Sequence, residues 1–227
     1  MRSGTVQVKR GLAPCKRSEE GVIPLEVTHE DFLTPEQVGA LKTYCRERAE
    51  RGTSDGRENP IRDWAILHLA LDSGLRVSEI CALVIRDLVL DRGHASIIVR
   101  HGKGDKKRGV RIGMALRDHL DRFIEWKRAQ GEAIGPAAPL FVSARGGPLT
   151  RTAVYRIFRN CADAVGIPAR FSIHSCRHTY ASMLYRASSY NLRLVQKQLG
   201  HRSIQTTQIY ADILNEDALV AVENLPQ

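Results

Sequence analysis

The chain has 227 residues, 43% of them hydrophobic, enough for one generous domain with a sizeable core. Its net charge of +9 and sequence pI of about 9.6 are unusual for a plain cytosolic enzyme and favour a polyanionic partner. Cys15, Cys45, Cys81, Cys161 and Cys176 form an odd set without a CxxC pair, which speaks against a disulfide framework and a thiolate zinc site. The N-terminus lacks the apolar core of a signal peptide, and no run approaches the roughly 18 apolar residues of a membrane span. The expectation is a cytoplasmic protein with reduced thiols and no membrane partner.

Residues 1–32 are polar and basic without sustained periodicity, and read as a poorly ordered arm; residues 33–227 read as the folded domain with a helical tail. The fold is expected to start at LTPEQVGAL, where Thr34 can cap a helix, Pro35 suits its first position and Gln37 can close a capping box, with the helix running to about Gly52. IRDWAILHLALDSG carries apolar residues at helical spacing and stops at Gly74; a short helix over Val77 to Leu83 follows. DLVLDRGHASIIVRHGKGDKKRGVRIG changes character. Its short β-branched runs, broken at Arg92-Gly93 and between Gly102 and Gly104, predict a small antiparallel sheet of about three strands. Helices are then predicted at 115–130, 151–165, 174–187, 192–199, 204–212 and 216–222, several closed by Gly131, Gly166 and Gly200. The fold class is therefore mainly α with a small antiparallel β-sheet.

Four segments carry chemistry. IHSCRHTYAS, residues 173–182, places His174 and Arg177 three apart, on one helix face, with His178 to another side. On its own it reads equally as an ordinary polar helix start. A metal site would want a third ligand at recognised spacing, and a cysteine nucleophile at Cys176 would want an activating surrounding that the sequence does not display. Upstream, SGLRVSEI puts Arg76 just past a helix-ending glycine, and residues 100–111 concentrate six Lys or Arg against one Asp, with Lys103 at the hairpin turn. Downstream, in LGHRSIQTTQIYADI, Gly200 ends one helix, Ser203 can cap the next, and His201 and Tyr210 lie nine residues apart.

In the order Arg, Lys, HxxR, LGH, Tyr, these pieces resemble the signature of the tyrosine recombinases, the phage integrase family, from about Leu33 to about Ile213. The resemblance implies the family's catalytic-domain fold and a catalytic set of Arg76, Lys103, His174, Arg177, His201 and Tyr210. Lys106, Lys107, Arg108 and Arg202 are expected on DNA. One framework position departs: the family's aliphatic residue before the second arginine is here Cys176, another small residue suited to burial.

The chemistry suits the residue types. Two guanidinium forks, Arg76 and Arg177, can each offer parallel donors to the non-bridging oxygens of a phosphodiester, which lysine cannot match in geometry. A tyrosine hydroxyl is a poor nucleophile at neutral pH unless a neighbour takes its proton, a task that falls to His174. By the resemblance, Lys103 protonates the leaving 5′ oxygen and His201 donates to a phosphate oxygen. A 3′-phosphotyrosyl link to Tyr210 would store the bond energy, so that religation needs neither cofactor nor metal. The implied partner is double-stranded DNA with inverted-repeat half-sites, bound by homodimers on a site and tetramers in synapsis. A type IB topoisomerase shares this chemistry, and a non-catalytic DNA-binding protein is the alternative of another class. The family's usual N-terminal core-binding domain of roughly a hundred residues has no counterpart in the short arm, so the chain is either a compact recombinase or a piece of a longer one.

Overall fold

Thr34 begins the first helix as its chemistry dictates: its hydroxyl accepts from the Gln37 amide at 3.2 Å while the Gln37 side chain accepts from the Thr34 amide at 3.0 Å. This opens α1 (Pro35–Arg51), in a computed structural model that describes residues 32–52, 59–101, 106–143, 146–201, 203 and 207–208. Asn59 caps α2 (Pro60–Ser73), which ends at Gly74 in the left-handed region, φ 62°. The short α3 (Val77–Ala82) follows, then a single 3-10 turn over Ile85–Asp87 that the sequence reading did not anticipate. Next come β1 (Leu88–Val89), β2 (Ser96–His101) and β3 (Lys106–Arg111), and then α4 (Met114–Ala129), α5 (Arg151–Ala164), α6 (Ile173–Ala187) and α7 (Leu192–Leu199). The mainly helical class with a small antiparallel sheet holds. Of the predicted helix at 204–212 only Thr207 and Gln208 are described, and both are helical; the predicted helix at 216–222, like the basic arm before Phe32, lies outside the described residues.

Helix α2 occupies the centre because it is apolar on nearly every side: Ala65, Ile66, Leu67, Leu69, Ala70 and Leu71 are all buried, and it packs against α1, α4 and α6. It shares one continuous core with Leu41, Leu116, Leu120, Phe158 and Cys176, whose burial stabilises the domain by ~25 cal/mol per Å² of apolar surface removed from water. A smaller cluster of Ala181, Val195 and Leu199 joins α6 to α7. Among the described residues, no helix is long and apolar enough to cross a membrane.

Sheet register decides which charged residues turn inward. The strands run in the order β1-β2-β3, all antiparallel, with Ile97 opposite Val110 and Val99 opposite Arg108. Directly opposed residues share a face, and successive residues alternate faces. Ile97, Val99 and Val110 are buried, so Arg108 lies on the core-facing side, whereas Arg100 and its partner Lys107 are exposed on the other. The Gln198 side chain fastens α7 to the sheet: its amide accepts from the Arg111 N–H at 3.2 Å and donates to its carbonyl at 2.5 Å.

Candidate functional site

Helix ends build the site. Carbonyls in the last turn of a helix have no intrahelical partner and seek one elsewhere. Arg177, only 8% exposed on the first turns of α6, uses two such groups: Nη1 donates to the Gly74 carbonyl past α2 and Nη2 to the Leu199 carbonyl of α7 at 2.9 Å. One guanidinium thus binds the ends of two helices to a third and is held in a fixed plane by them.

Gly74 allows this approach. At φ 62° it turns the chain out of α2, and a Cβ there would stand 2.4 Å from Cδ1 of Tyr180. Two residues on, Arg76 sits at the N-cap of α3 with its side chain 41% exposed. Glu79, three residues further, accepts from the Arg76 backbone N–H at 2.8 Å and from its Nη1 at 3.1 Å. The same carboxylate receives the fork of Arg108 from β3, Nη1 at 2.8 Å and Nη2 at 3.0 Å. Burial alone would raise the Glu79 carboxyl, but the bonds from Arg108 and from the Arg76 backbone, with both charges, hold it at about 2.

At the end of α7, Gly200 (φ 67°) gives the turn that presents His201. Its N–H closes on the Gln196 carbonyl at 3.2 Å, and its Nδ1 lies 2.9 Å from the Thr207 hydroxyl. The ring is pushed down to about 4, first by burial and then by the positive charges of Arg177, Arg76 and Arg108 and by His178. It is therefore neutral at physiological pH, in a cluster where Arg76 and Arg108 share the Glu79 carboxylate and Arg177 is held by two helix-end carbonyls. Such a surplus of fixed, oriented donors is suited to an anion with several oxygens.

His174 stands on the first turn of α6, where the Ser172 hydroxyl caps the helix by accepting from the His174 N–H at 3.3 Å. Burial first, then the Arg177 charge, lowers its pKa. Its Nε2 is hydrogen bonded to the hydroxyl of Tyr155 on α5, the two rings meeting edge to face at 5.6 Å.

Four of the residues singled out from sequence, Arg76, His174, Arg177 and His201, are thus placed on helix ends, with Arg76 and Arg177 acting on the His201 ring and Arg177 on His174. Lys103, Arg202 and Tyr210 lie outside the described residues. Lys106 is paired with His101 at the start of β3, and Lys107 is exposed. Arg108, expected among the DNA contacts, faces inward instead, because its register opposite Val99 aims it at Glu79. Two site residues were missed. Glu79 was detectable, as an acid three residues from Arg76 at a helix start; Tyr155 gave no local signal, since its link to His174 spans 19 residues and two helices.

The sequence model of the phage integrase family matches residues 31–217. Among curated relatives, the tyrosine recombinase XerC of Thermodesulfovibrio yellowstonii is 37% identical over 155 residues, 67% of this chain and 50% of its own length. That of Halalkalibacterium halodurans is 33% identical over 191 residues, 81% of this chain and 62% of its own. Among solved structures, the XerA recombinase superposes with a TM-score of 0.68 at 29% identity, covering 86% of this chain and 65% of that one. The XerH recombinase in a post-cleavage complex with its palindromic difH substrate gives 0.70 at 25% identity, covering 85% and 52%. The chain spans about half to three fifths of the length of these curated relatives.

Proposed function

The chain belongs to the phage integrase family, and from that premise we propose that it is a tyrosine-type site-specific recombinase, cutting and rejoining cytoplasmic DNA through a 3′-phosphotyrosyl intermediate. The observation that carries the reading is the convergence of three separate segments: Arg177, one turn along α6 from His174, is bonded to the Gly74 and Leu199 carbonyls, each two residues before Arg76 and His201. In the proposed reaction the Tyr210 oxygen attacks the phosphorus of a scissile phosphodiester and the 5′ oxygen leaves. The phenol proton passes to His174, and Lys103 supplies a proton to the leaving oxygen. Arg76, Arg177 and His201 stabilise the non-bridging oxygens as charge builds on them. Religation reverses the step with a new 5′ hydroxyl as nucleophile. The substrate in this reading is duplex DNA with paired inverted half-sites, bound by dimers that join into a tetramer. The post-cleavage XerH complex on a palindromic substrate supports that arrangement by likeness.

The test is covalent capture. Duplexes nicked just beyond the cleaved phosphate release a short fragment on attack and trap the enzyme on DNA; with a pool of such duplexes randomised around the nick, the chain should yield adducts that survive boiling in detergent. An adduct that forms equally when Tyr210 is replaced by Phe would overturn the assignment.

A further inference from the structure

From the contact between α5 and α6 we infer that Tyr155 is a positioning residue for His174: its hydroxyl donates to Nε2 and fixes the imidazole in the tautomer that carries its proton on Nδ1. The inference rests on the reading of His174 as part of the strand-cleaving site. Its physical basis is direct. The phenol and Nε2 are within hydrogen-bond reach, and of the two possible donors the phenol is much the stronger acid, so the favourable arrangement is O–H to the ring lone pair. The rest of the surroundings agree. His174 lies at an α6 N-terminus, where partial positive charge disfavours an imidazolium, and the Arg177 guanidinium on the same helix acts in the same sense. Among the described residues, Arg177 from α6 and Tyr155 from α5 are the charged and titratable groups set against this ring.

A base that must take a proton from an arriving phenol has to be neutral and correctly turned beforehand, and a partly open histidine at a helix start would otherwise sample both tautomers and several rotamers. Tyr155 limits it to one. The nucleophile then replaces Tyr155 as the partner of Nε2, exchanging one phenol for another at the same lone pair, while the Nδ1 proton stays in place throughout.

Tyr155→Phe removes one oxygen and keeps the edge-on ring, so the test leaves the packing intact. The full chain, labelled with nitrogen-15 histidine and assigned against His174→Gln, is compared with the variant by long-range proton–nitrogen correlation without DNA. The wild type should show His174 as one tautomer, protonated on Nδ1, with a titration midpoint below the ordinary range. The variant should show mixed tautomers and a midpoint higher by about half a unit to one unit, with Tm unchanged within about a degree. With the randomised nicked duplexes, the acid limb of adduct formation should rise by the same interval, which a merely structural role would not produce. An identical tautomer and midpoint in the variant would overturn the inference, and so would a shifted midpoint with an unmoved acid limb. Failure of the wild type to form any adduct would instead overturn the recombinase reading, and the imidazole spectra of the free protein would still decide the Tyr155 contact.

Discussion

Arg177 and Arg76 are the same residue type with different work, and the difference is measurable. Arg177 is almost wholly buried and satisfies two helix-end carbonyls, whereas the Arg76 side chain is half open and is steadied by one carboxylate. A lysine in place of Arg177 cannot reach both carbonyls in one plane, so one buried acceptor loses its partner at a cost of about 1–3 kcal/mol. Arg177→Lys should therefore lower both urea midpoint and adduct yield, the latter by about a hundredfold or more, on the scale of losing one oriented transition-state donor. Arg76→Lys should lower adduct yield alike and leave the urea midpoint nearly unchanged. Equal stability losses in the two variants would contradict this division. Tyr210→Phe makes the third member of the set: full loss of covalent adduct with binding of the same duplex retained, read by gel shift and boiled gel in parallel.

At the scale of elements, the site depends on where helices stop. Gly74 ends α2, Gly200 ends α7, and each takes up a left-handed conformation that other residues adopt only with strain. Both stops were visible in sequence, as were the capping box at Thr34 and the three-strand sheet, because each is written in neighbouring residues. Tyr155 meeting His174 and Arg177 reaching the Gly74 carbonyl across 103 positions were not, since nothing local records which helix ends will meet. Arg108 lies between these cases: the basic run was evident, but only strand register, set by the burial of Ile97 and Val110, decides that this arginine turns inward and Lys107 outward. The two glycines should respond differently to a methyl group. Gly74→Ala strains the turn and drives Cβ into the Tyr180 ring, and should cost about 2–4 kcal/mol in chemical denaturation. Gly200→Ala meets the Arg108 side chain, which can move, so its stability cost should be nearer 1 kcal/mol, while displacement of Arg108 from Glu79 shows as reduced adduct formation. A larger stability loss at Gly200 than at Gly74 would refute the ordering.

Over the whole molecule, two buried imidazoles and one paired carboxylate set how the fold responds to acid. Beyond the site, between α2 and α4, His68 and His119 face each other with their Nδ1 atoms 2.8 Å apart, so one must donate and the other accept. Trp64 stacks flat on His68 at 4.6 Å, and the other nitrogen of His68 lies 3.2 Å from Asp72, itself paired with Lys42. Burial first, then the His68 and Arg122 charges, pushes His119 down to about 4, and His201 reaches about the same value for the reasons given above. A base whose folded pKa lies below its unfolded value binds more protons when unfolded, so its contribution is complete above about 6.5 and is lost as pH falls from there toward 4. Glu79 acts lower down: held at about 2, its ion pairs with Arg76 and Arg108 contribute above the ordinary carboxylate value of 4.5 and fade as pH drops toward 2. Unfolding free energies from urea titrations should accordingly be flat from pH 8 to 7, then fall between pH 6.5 and 4.5 with a slope approaching about 1.4 kcal/mol per pH unit for His119 and less for the more solvent-open His201. Exchanging His119 for Gln keeps a donor and an acceptor at the pair but removes the titration, and should flatten the upper part of that fall while leaving the part below pH 4.5 to Glu79. The two windows would be shown to have other owners if the variant retained the full slope between pH 6.5 and 5, or if Glu79→Gln flattened that interval instead.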